Sequence, residues 1–421
     1  MKELLRVEGL KVFAGGEALV RLKSLRVDDG EIVLITGPSG SGKTSLLRCL
    51  VGVHELAGLN YSGIISLGVD RSELSYIPQE PWYGLITPYP ILELMGFSGL
   101  SEGSIRAYAE ALNVGHVLES NSIDLSAGEI QRILFLEALL SESRLILMDE
   151  VTAYLDEGSR NQLVSVIEGL RSNYGISFMV VDHDIDLWKD CVDKVVYVSG
   201  GEAVTYSNVD DLPTTGLTSK VMEEVRALAS EVRNYSNGEL LLKAINVWFK
   251  YPDSRDYVIK GVDLELSGGD LLIIQGPSGK GKSTLLKIIS GIHKPSRGKI
   301  LRYYKYLQYV PENPLIYLSE PTPRDELRGD LEIAKEAYLS HVLDTPITRL
   351  SSGERRRLAI ASAITRGADL VVLDEPSVGL DPENLVRVLR LLTKAISRGV
   401  GLIVATHSRL LTYIGSKIIT L

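Results

Sequence analysis

One eight-residue pattern, a glycine-rich loop closing on Lys-Thr or Lys-Ser, occurs twice in this chain of 421 residues. GPSGSGKT runs through Gly37, Pro38, Ser39, Gly40, Ser41, Gly42, Lys43 and Thr44. GPSGKGKS runs through Gly276, Pro277, Ser278, Gly279, Lys280, Gly281, Lys282 and Ser283. Both fit G-x-x-x-x-G-K-[ST], and they differ at only two of eight positions. Such a loop needs a buried strand before it and a helix after it. Ile32-Val33-Leu34-Ile35 and Leu271-Leu272-Ile273-Ile274 supply the strands, and the apolar stretches from Ser45 and Thr284 supply the helices. Gly52 and Gly291 are the expected helix C-caps. Two α/β units in one chain follow from this.

The chemistry of the loop is that of phosphate. Its glycines let backbone N–H groups point at phosphate oxygens, and the helix N-terminus adds roughly half a positive charge. Lys43 and Lys282 reach the terminal phosphates. Thr44 and Ser283 offer hydroxyls to Mg²⁺, and Ser45 and Thr284 complete the nucleotide-binding set. ATP and Mg²⁺ are the expected ligands.

The repeat extends well beyond the loops. Gly37 and Gly276 are 239 residues apart, whereas LSAGE at 125–129 and LSSGE at 350–354 are 225 apart. The apolar runs ending in Asp149-Glu150 and Asp374-Glu375 keep the 225 offset, and His183 and His407 are 224 apart. The second copy is therefore 14 residues shorter between the loop and LSxGE. An apolar run ending in Asp-Glu is a buried strand that delivers two carboxylates to one edge. Asp149 and Asp374 are the expected Mg²⁺ carboxylates. Glu150 and Glu375 are the expected bases that polarise an attacking water. Ser126-Ala127-Gly128 and Ser351-Ser352-Gly353 present a hydroxyl and free N–H groups at helix starts. His183 and His407, each just past a strand, are candidate γ-phosphate contacts. Domains are expected at 1–234 and 239–421, the first with a C-terminal tail that includes a helix over 221–232. Residues 234–238 read as the linker.

Composition sets limits. Hydrophobic residues make up 45% of the chain and the mean hydropathy is +0.10, yet no apolar run approaches the ~20 residues of a membrane span. No secretory signal follows Met1. Cys49 and Cys191 read as core residues in a reducing, cytoplasmic setting. A net charge of −9 disfavours a broad nucleic-acid surface, so no nucleic acid is expected. The run Arg355-Arg356-Arg357 reads as a solvated helix face.

With phosphate loop, Asp-Glu strand, LSxGE and histidine in order, the chain resembles the ABC ATPase family over nearly its full length. The resemblance implies two α/β P-loop domains, each a RecA-like core with an antiparallel β region and a helical subdomain. It also implies a self-contained pseudo-dimer. Lys43, Thr44, Asp149, Glu150 and His183 would join Ser351 and Gly353. Lys282, Ser283, Asp374, Glu375 and His407 would join Ser126 and Gly128. The pairs Leu155-Asp156 and Leu380-Asp381 match the loop following the catalytic strand. Phe13 and Tyr251 are the implied adenine-stacking residues. Gln79 occupies the glutamine loop as a further Mg²⁺ ligand, with Glu312 in its place in the second copy. Val151 stands where Pro376 keeps the usual proline.

The glutamine-loop regions are most similar to the ATPases of energy-coupling-factor importers of vitamins or metal ions. That resemblance implies a transmembrane coupling protein and a separate substrate-binding membrane subunit as partners. It places the chain peripherally on the cytoplasmic face of the cell membrane. A soluble tandem ATPase acting on ribosomes or nucleic-acid complexes is the alternative. From Gln79 to Ser126 is 47 residues and from Glu312 to Ser351 is 39, so the copies are expected to grip different surfaces.

Overall fold

The computed structural model describes residues 2–212, 217–235, 238–252, 254, 256–277 and 279–421. The chain divides into two compact units, residues 1–214 and 215–421. In the first, strands Leu74–Ile77, Leu145–Asp149, Ser177–Val181, Ile32–Thr36 and Lys194–Ser199 lie side by side and parallel. Every residue of Ile32–Thr36, Leu145–Asp149 and Ser177–Val181 is buried. That is what a parallel sheet covered on both faces requires of apolar runs. The sheet continues antiparallel through Glu202–Tyr206 and reaches the hairpin Glu3–Ala14 and Glu17–Asp28, with Leu59–Leu67 at the edge.

The second unit repeats the plan as two sheets. Leu307–Val310, Leu370–Asp374, Gly401–Ala405, Leu271–Gln275 and Lys417–Thr420 form the parallel one. Ile259–Ser267, Leu240–Phe249 and Arg297–Arg302 form the antiparallel one. In both units the Asp-Glu pair emerges at the carboxyl edge of the parallel strands, where α/β sheets place their ligands.

The part of the length difference that follows Gln79 and Glu312 falls in a region of helices. After Gln79 the first unit builds Pro90–Ser98 and Glu102–Ala111, while after Glu312 the second builds only Pro323–Glu326 and Leu331–Glu336. One buried glutamate braces each region. Glu93 accepts the backbone N–H groups of Ile86 and Thr87, and Glu326 those of Ser319 and Glu320. Each glutamate is thus an internal brace for the segment before its helix.

Two expectations change. The helix Leu217–Tyr235 packs against Pro382–Ser397 and Arg409–Ile414, with Val221, Val225 and Val232 in the second unit's core and Glu224 paired with Arg390. Its apolar stripe finds a partner there, so the boundary between units falls near 214 and not at 234–239. The linker residues Ser236 and Asn237 lie outside the described residues. The second loop helix ends at Ser290, and Gly291 takes the left-handed position just beyond it, with φ 84°. Gly52 caps its helix as expected, its N–H bonded to the carbonyls of Arg48 and Cys49.

Candidate active sites

Strand Ile32–Thr36 carries the chain into the first loop and helix Lys43–Val51 carries it out. Gly37 passes so close to the neighbouring strand that a Cβ there would lie 2.0 Å from the Val198 carbonyl oxygen. Gly42, at φ 99°, turns the chain into the helix. Lys43 Nζ donates to the carbonyls of Gly37 and Pro38, both at 2.9 Å. Lys282 Nζ does the same to Gly276 at 2.9 Å and Pro277 at 3.2 Å. Both ammonium groups are buried at the centre of their loops. Ser278 lies outside the described residues.

The strand carboxylates meet the loop. Thr44 donates to Asp149 Oδ1 at 3.1 Å, and the Tyr76 hydroxyl donates to Asp149 Oδ2 at 3.3 Å. Tyr309 repeats this on Asp374 Oδ2 at 3.3 Å. These tyrosines went unassigned in the sequence, although Tyr76 and Tyr309 begin the equivalent runs YIPQ and YVPE. Burial pushes Asp149 up to about 7, and the neighbouring Glu150 adds to the rise. Burial also pushes Asp374 up, against the pull of Ser283 and Tyr309. Asp374 Oδ1 is buried with no hydrogen-bond partner. An uncompensated carboxylate oxygen is costly, and a divalent cation would supply the missing charge. Among the described residues no group of three or more His, Cys, Asp or Glu could hold a metal. One carboxylate and one hydroxyl beside a phosphate loop suit Mg²⁺, which is commonly completed by water and substrate phosphates.

The candidate bases follow. Glu150 and Glu375 both have left-handed backbones, φ 49° and 48°, a conformation that is strained outside glycine and concentrates at functional sites. Their N–H groups bond to the adjacent strand at Val181 and Ala405, each at 2.9 Å. His183 Nε2 lies 2.8 Å from Glu150 Oε1 without the alignment of a hydrogen bond, and His407 Nε2 lies 3.1 Å from Glu375 Oε1. Lys282 Nζ is 3.1 Å from the same His407 nitrogen. The copies then part. Gln79 Nε2 donates to Glu150 Oε2 at 2.5 Å. Glu312 instead brings negative charge to Glu375, whose carboxyl is raised by burial, by Glu312 and by Asp374, against the pull of Lys282.

Ser126 and Ser351 each N-cap a helix in a full capping box closed by Glu129 and Glu354. Each serine hydroxyl donates to its glutamate, at 2.7 Å and 2.8 Å. The glutamate at the fifth signature position therefore has a local structural reason. Gly128 and Gly353 lie in the first turns of the two helices. His116 and His341, given no role by the sequence reading, stand 3.5 Å and 3.0 Å from those glutamates and are themselves 225 residues apart. Asp156 and Asp381 N-cap the helices after the Asp-Glu strands.

Tyr251 reaches the second loop helix, its hydroxyl 3.0 Å from Thr284 Oγ1, and its ring meets Phe249 edge-on. Phe13 is half-buried in strand Glu3–Ala14, opposite Ala18 and Asn60. The run Arg355-Arg356-Arg357 is not a solvated face: all three residues are buried. Arg357 donates to the Ala337 carbonyl and to Asn384, and Arg356 donates to the Glu375 carbonyl. Helical periodicity cannot distinguish a solvated basic stripe from one that satisfies buried carbonyls.

A phosphate loop, an Asp-Glu strand end and an LSxGE helix start, arranged so twice, define a tandem P-loop ATPase. The ABC transporter family model matches residues 21–153 and 259–378, more than half of the chain, and the chain belongs to that family. A relative from Methanosarcina acetivorans, provisionally named an ABC transporter ATP-binding protein, is 26% identical over 94% of this chain and 84% of its own length. YkoD of Bacillus subtilis, provisionally named an HMP/thiamine import ATP-binding protein, is 26% identical over 91% of this chain and 83% of its own length. Among solved structures, RNase-L inhibitor aligns at TM-score 0.62 and 23% identity over 97% of this chain and 87% of that one. A model of ribosome-bound archaeal Pelota and ABCE1 aligns at TM-score 0.68 and 23% identity, over 97% of this chain and 76% of that one. These structural likenesses carry the fold alone. Among the described residues no helix is long and apolar enough to cross a membrane.

Proposed function

We propose that this chain is the ATP-driven motor subunit of a membrane transporter, of the energy-coupling-factor type that imports a vitamin or metal ion. ATP seats its phosphates in the two loops around Lys43 and Lys282. Glu150 and Glu375 take a proton from the water that attacks the γ-phosphorus, releasing ADP and phosphate, a role worth about 10²–10⁴ in rate. His183 and His407 steady the γ-phosphate. Mg²⁺, held through Thr44 and Asp149 or Ser283 and Asp374, would neutralise phosphate charge. The LSxGE residues Ser126, Gly128, Ser351 and Gly353 also serve nucleotide binding in this reading.

The observation that carries the transporter reading is a segment of exposed apolar side chains just beyond Gln79. Tyr83, Ile86, Leu92 and Phe97 are all exposed, Ile86 at 82%. Several large apolar side chains exposed within one short segment favour an interaction site, and a hydrophobic helix of a membrane subunit suits them. The second unit offers a smaller counterpart, Ile316 and Leu331. YkoD's name, that of an import ATPase, agrees with this reading.

A ribosome or nucleic-acid role is the second reading. It is favoured by the edge strand Arg297–Arg302, where exposed Arg297 and Lys299 lie near exposed Tyr303 and Tyr306, a basic and aromatic combination that suits single-stranded nucleic acid. Co-purification from native membranes separates the two. The transporter reading expects recovery with an integral membrane protein, lost in the double variant I86E/L92E. Recovery with ribosomes alone, unchanged by those substitutions, overturns it.

A further inference from the structure

LSAGEIQR at 125–132 aligns with LSSGERRR at 350–357, so Gln131 and Arg356 are equivalent. Each is only 4% exposed. Arg356 Nη1 donates to the main-chain carbonyl of Glu375 at 2.6 Å. That carbonyl belongs to the residue at φ 48°, and a left-handed glutamate persists only where its surroundings hold it. Pro376 follows it, with its own φ fixed by the ring. The second unit therefore grips its candidate base from behind at two consecutive residues.

The first unit has neither grip. Both amide atoms of Gln131 lack a hydrogen-bond partner. The side chain borders a cavity of about 40 Å³ whose wall includes Ile77, Phe135, Met148, Val151 and Leu155. Val151 is the residue standing where Pro376 stands. The two departures thus meet at one cavity behind Glu150, whose carboxylate is held from the front by Gln79.

We infer that Arg356 is a positioning residue. It fixes the left-handed turn that aims Glu375, where the backbone N–H of Val378 stands 3.4 Å from the carbonyl, whereas the Glu150 carbonyl is held by the backbone N–H of Ala153 at 3.0 Å. The inference rests on reading Glu150 and Glu375 as the bases. Arg356 touches no reacting atom and acts through the Glu375 main chain.

A double-mutant cycle on the full chain tests it, with kcat, the KM for ATP and binding of a fluorescent ATP analogue as readouts. Misaiming a catalytic group by about 1 Å can cost up to 10²-fold, so R356Q is expected to lower kcat roughly tenfold with KM within about twofold. In an E375Q background R356Q is expected to add almost nothing, because the residue it aims has lost its function. R356K, which keeps a charged donor, recovers most of the rate. A further variant, Q131R, fills the cavity and raises the thermal midpoint of the first unit, so the idea stays testable even where R356Q folds poorly. Equal rate losses from R356Q with and without E375Q, or an R356K rate no better than R356Q, overturn the inference. If E375Q itself leaves turnover intact, the reading of the glutamates fails instead, and the two failures are distinguishable.

Discussion

The two units hold the same candidate base with different added partners. In the first, an amide donates to it: Gln79 lies 2.5 Å from Glu150. In the second, a carboxylate faces it, and Glu312 helps to raise Glu375. The side-chain support of the main chain differs as well, since Arg356 grips the Glu375 carbonyl while the Gln131 amide has no hydrogen-bond partner. Both bases are held at side chain and backbone, Glu375 Oε2 also by the His407 N–H at 3.3 Å and the Glu150 carbonyl by the Ala153 N–H at 3.0 Å, and it is the added partners that differ. A duplicated enzyme under one shared demand has no reason to diverge so close to its chemistry. The difference points to unequal work by the two ATP sites.

The loops are nearly identical, so K43A and K282A are each expected to cut turnover by about 10² or more, the scale for removing a preorganised donor to developing charge. The two losses should match within a few fold, because the sites diverge at the bases and not at the loops. Steady-state phosphate release checks this.

Exchanging the loop residue should then transfer character between the copies. Q79E places a like charge on Glu150, removes its donor, and is expected to lower turnover several-fold at pH 7. E312Q is expected to do the reverse. A base with a raised pKa is protonated and idle below that value. Removing Glu312 brings Glu375 down, so the gain is greatest near neutral pH and fades as pH rises. Rate profiles across pH 6–9 decide this, and a gain independent of pH would argue against the charge explanation.

The smallest effect lies in the helical region. Burial pushes Glu137 up to about 7, with Glu93 beside it, whereas the equivalent Ser362 donates to Glu326, which Arg366 also pairs. A carboxyl whose folded pKa exceeds its unfolded value of 4.5 binds the extra proton in the folded state. The first unit is therefore expected to lose stability as pH rises from 4.5 to about 7, and little more beyond. E137Q should flatten that slope, raising the melting midpoint at pH 7.5 by roughly 2–4 °C. Thermal scans at pH 5 and pH 7.5 measure it.

Much of this was legible from residues alone. Loop, strand end, helix start and histidine recur at fixed offsets, and each has a local chemical reason, so their order declares the fold. What stayed hidden depends on three-dimensional surroundings. The arginine run looked solvated because periodicity records which face a residue shares and not what covers that face. The helix Leu217–Tyr235 looked like the tail of the first domain because it follows that domain in sequence, yet its apolar stripe is claimed by Pro382–Ser397. The left-handed turns at Glu150 and Glu375 left no mark, since glutamate does not advertise a positive φ as glycine does. Tyr76 and His116 did leave a mark: each recurs in the other copy, as Tyr309 and His341. Aligning the copies beyond the known motifs is the signal that finds them.

The central claim is that the two bases are unequal, and the direct measurement is ATP turnover of E150Q and E375Q side by side at pH 7. Glu312 helps to keep the Glu375 carboxyl protonated, whereas the residue in its place beside Glu150 is the amide donor Gln79. E150Q is therefore predicted to lose more activity than E375Q, by at least about threefold. Equal residual rates in the two variants would contradict the account.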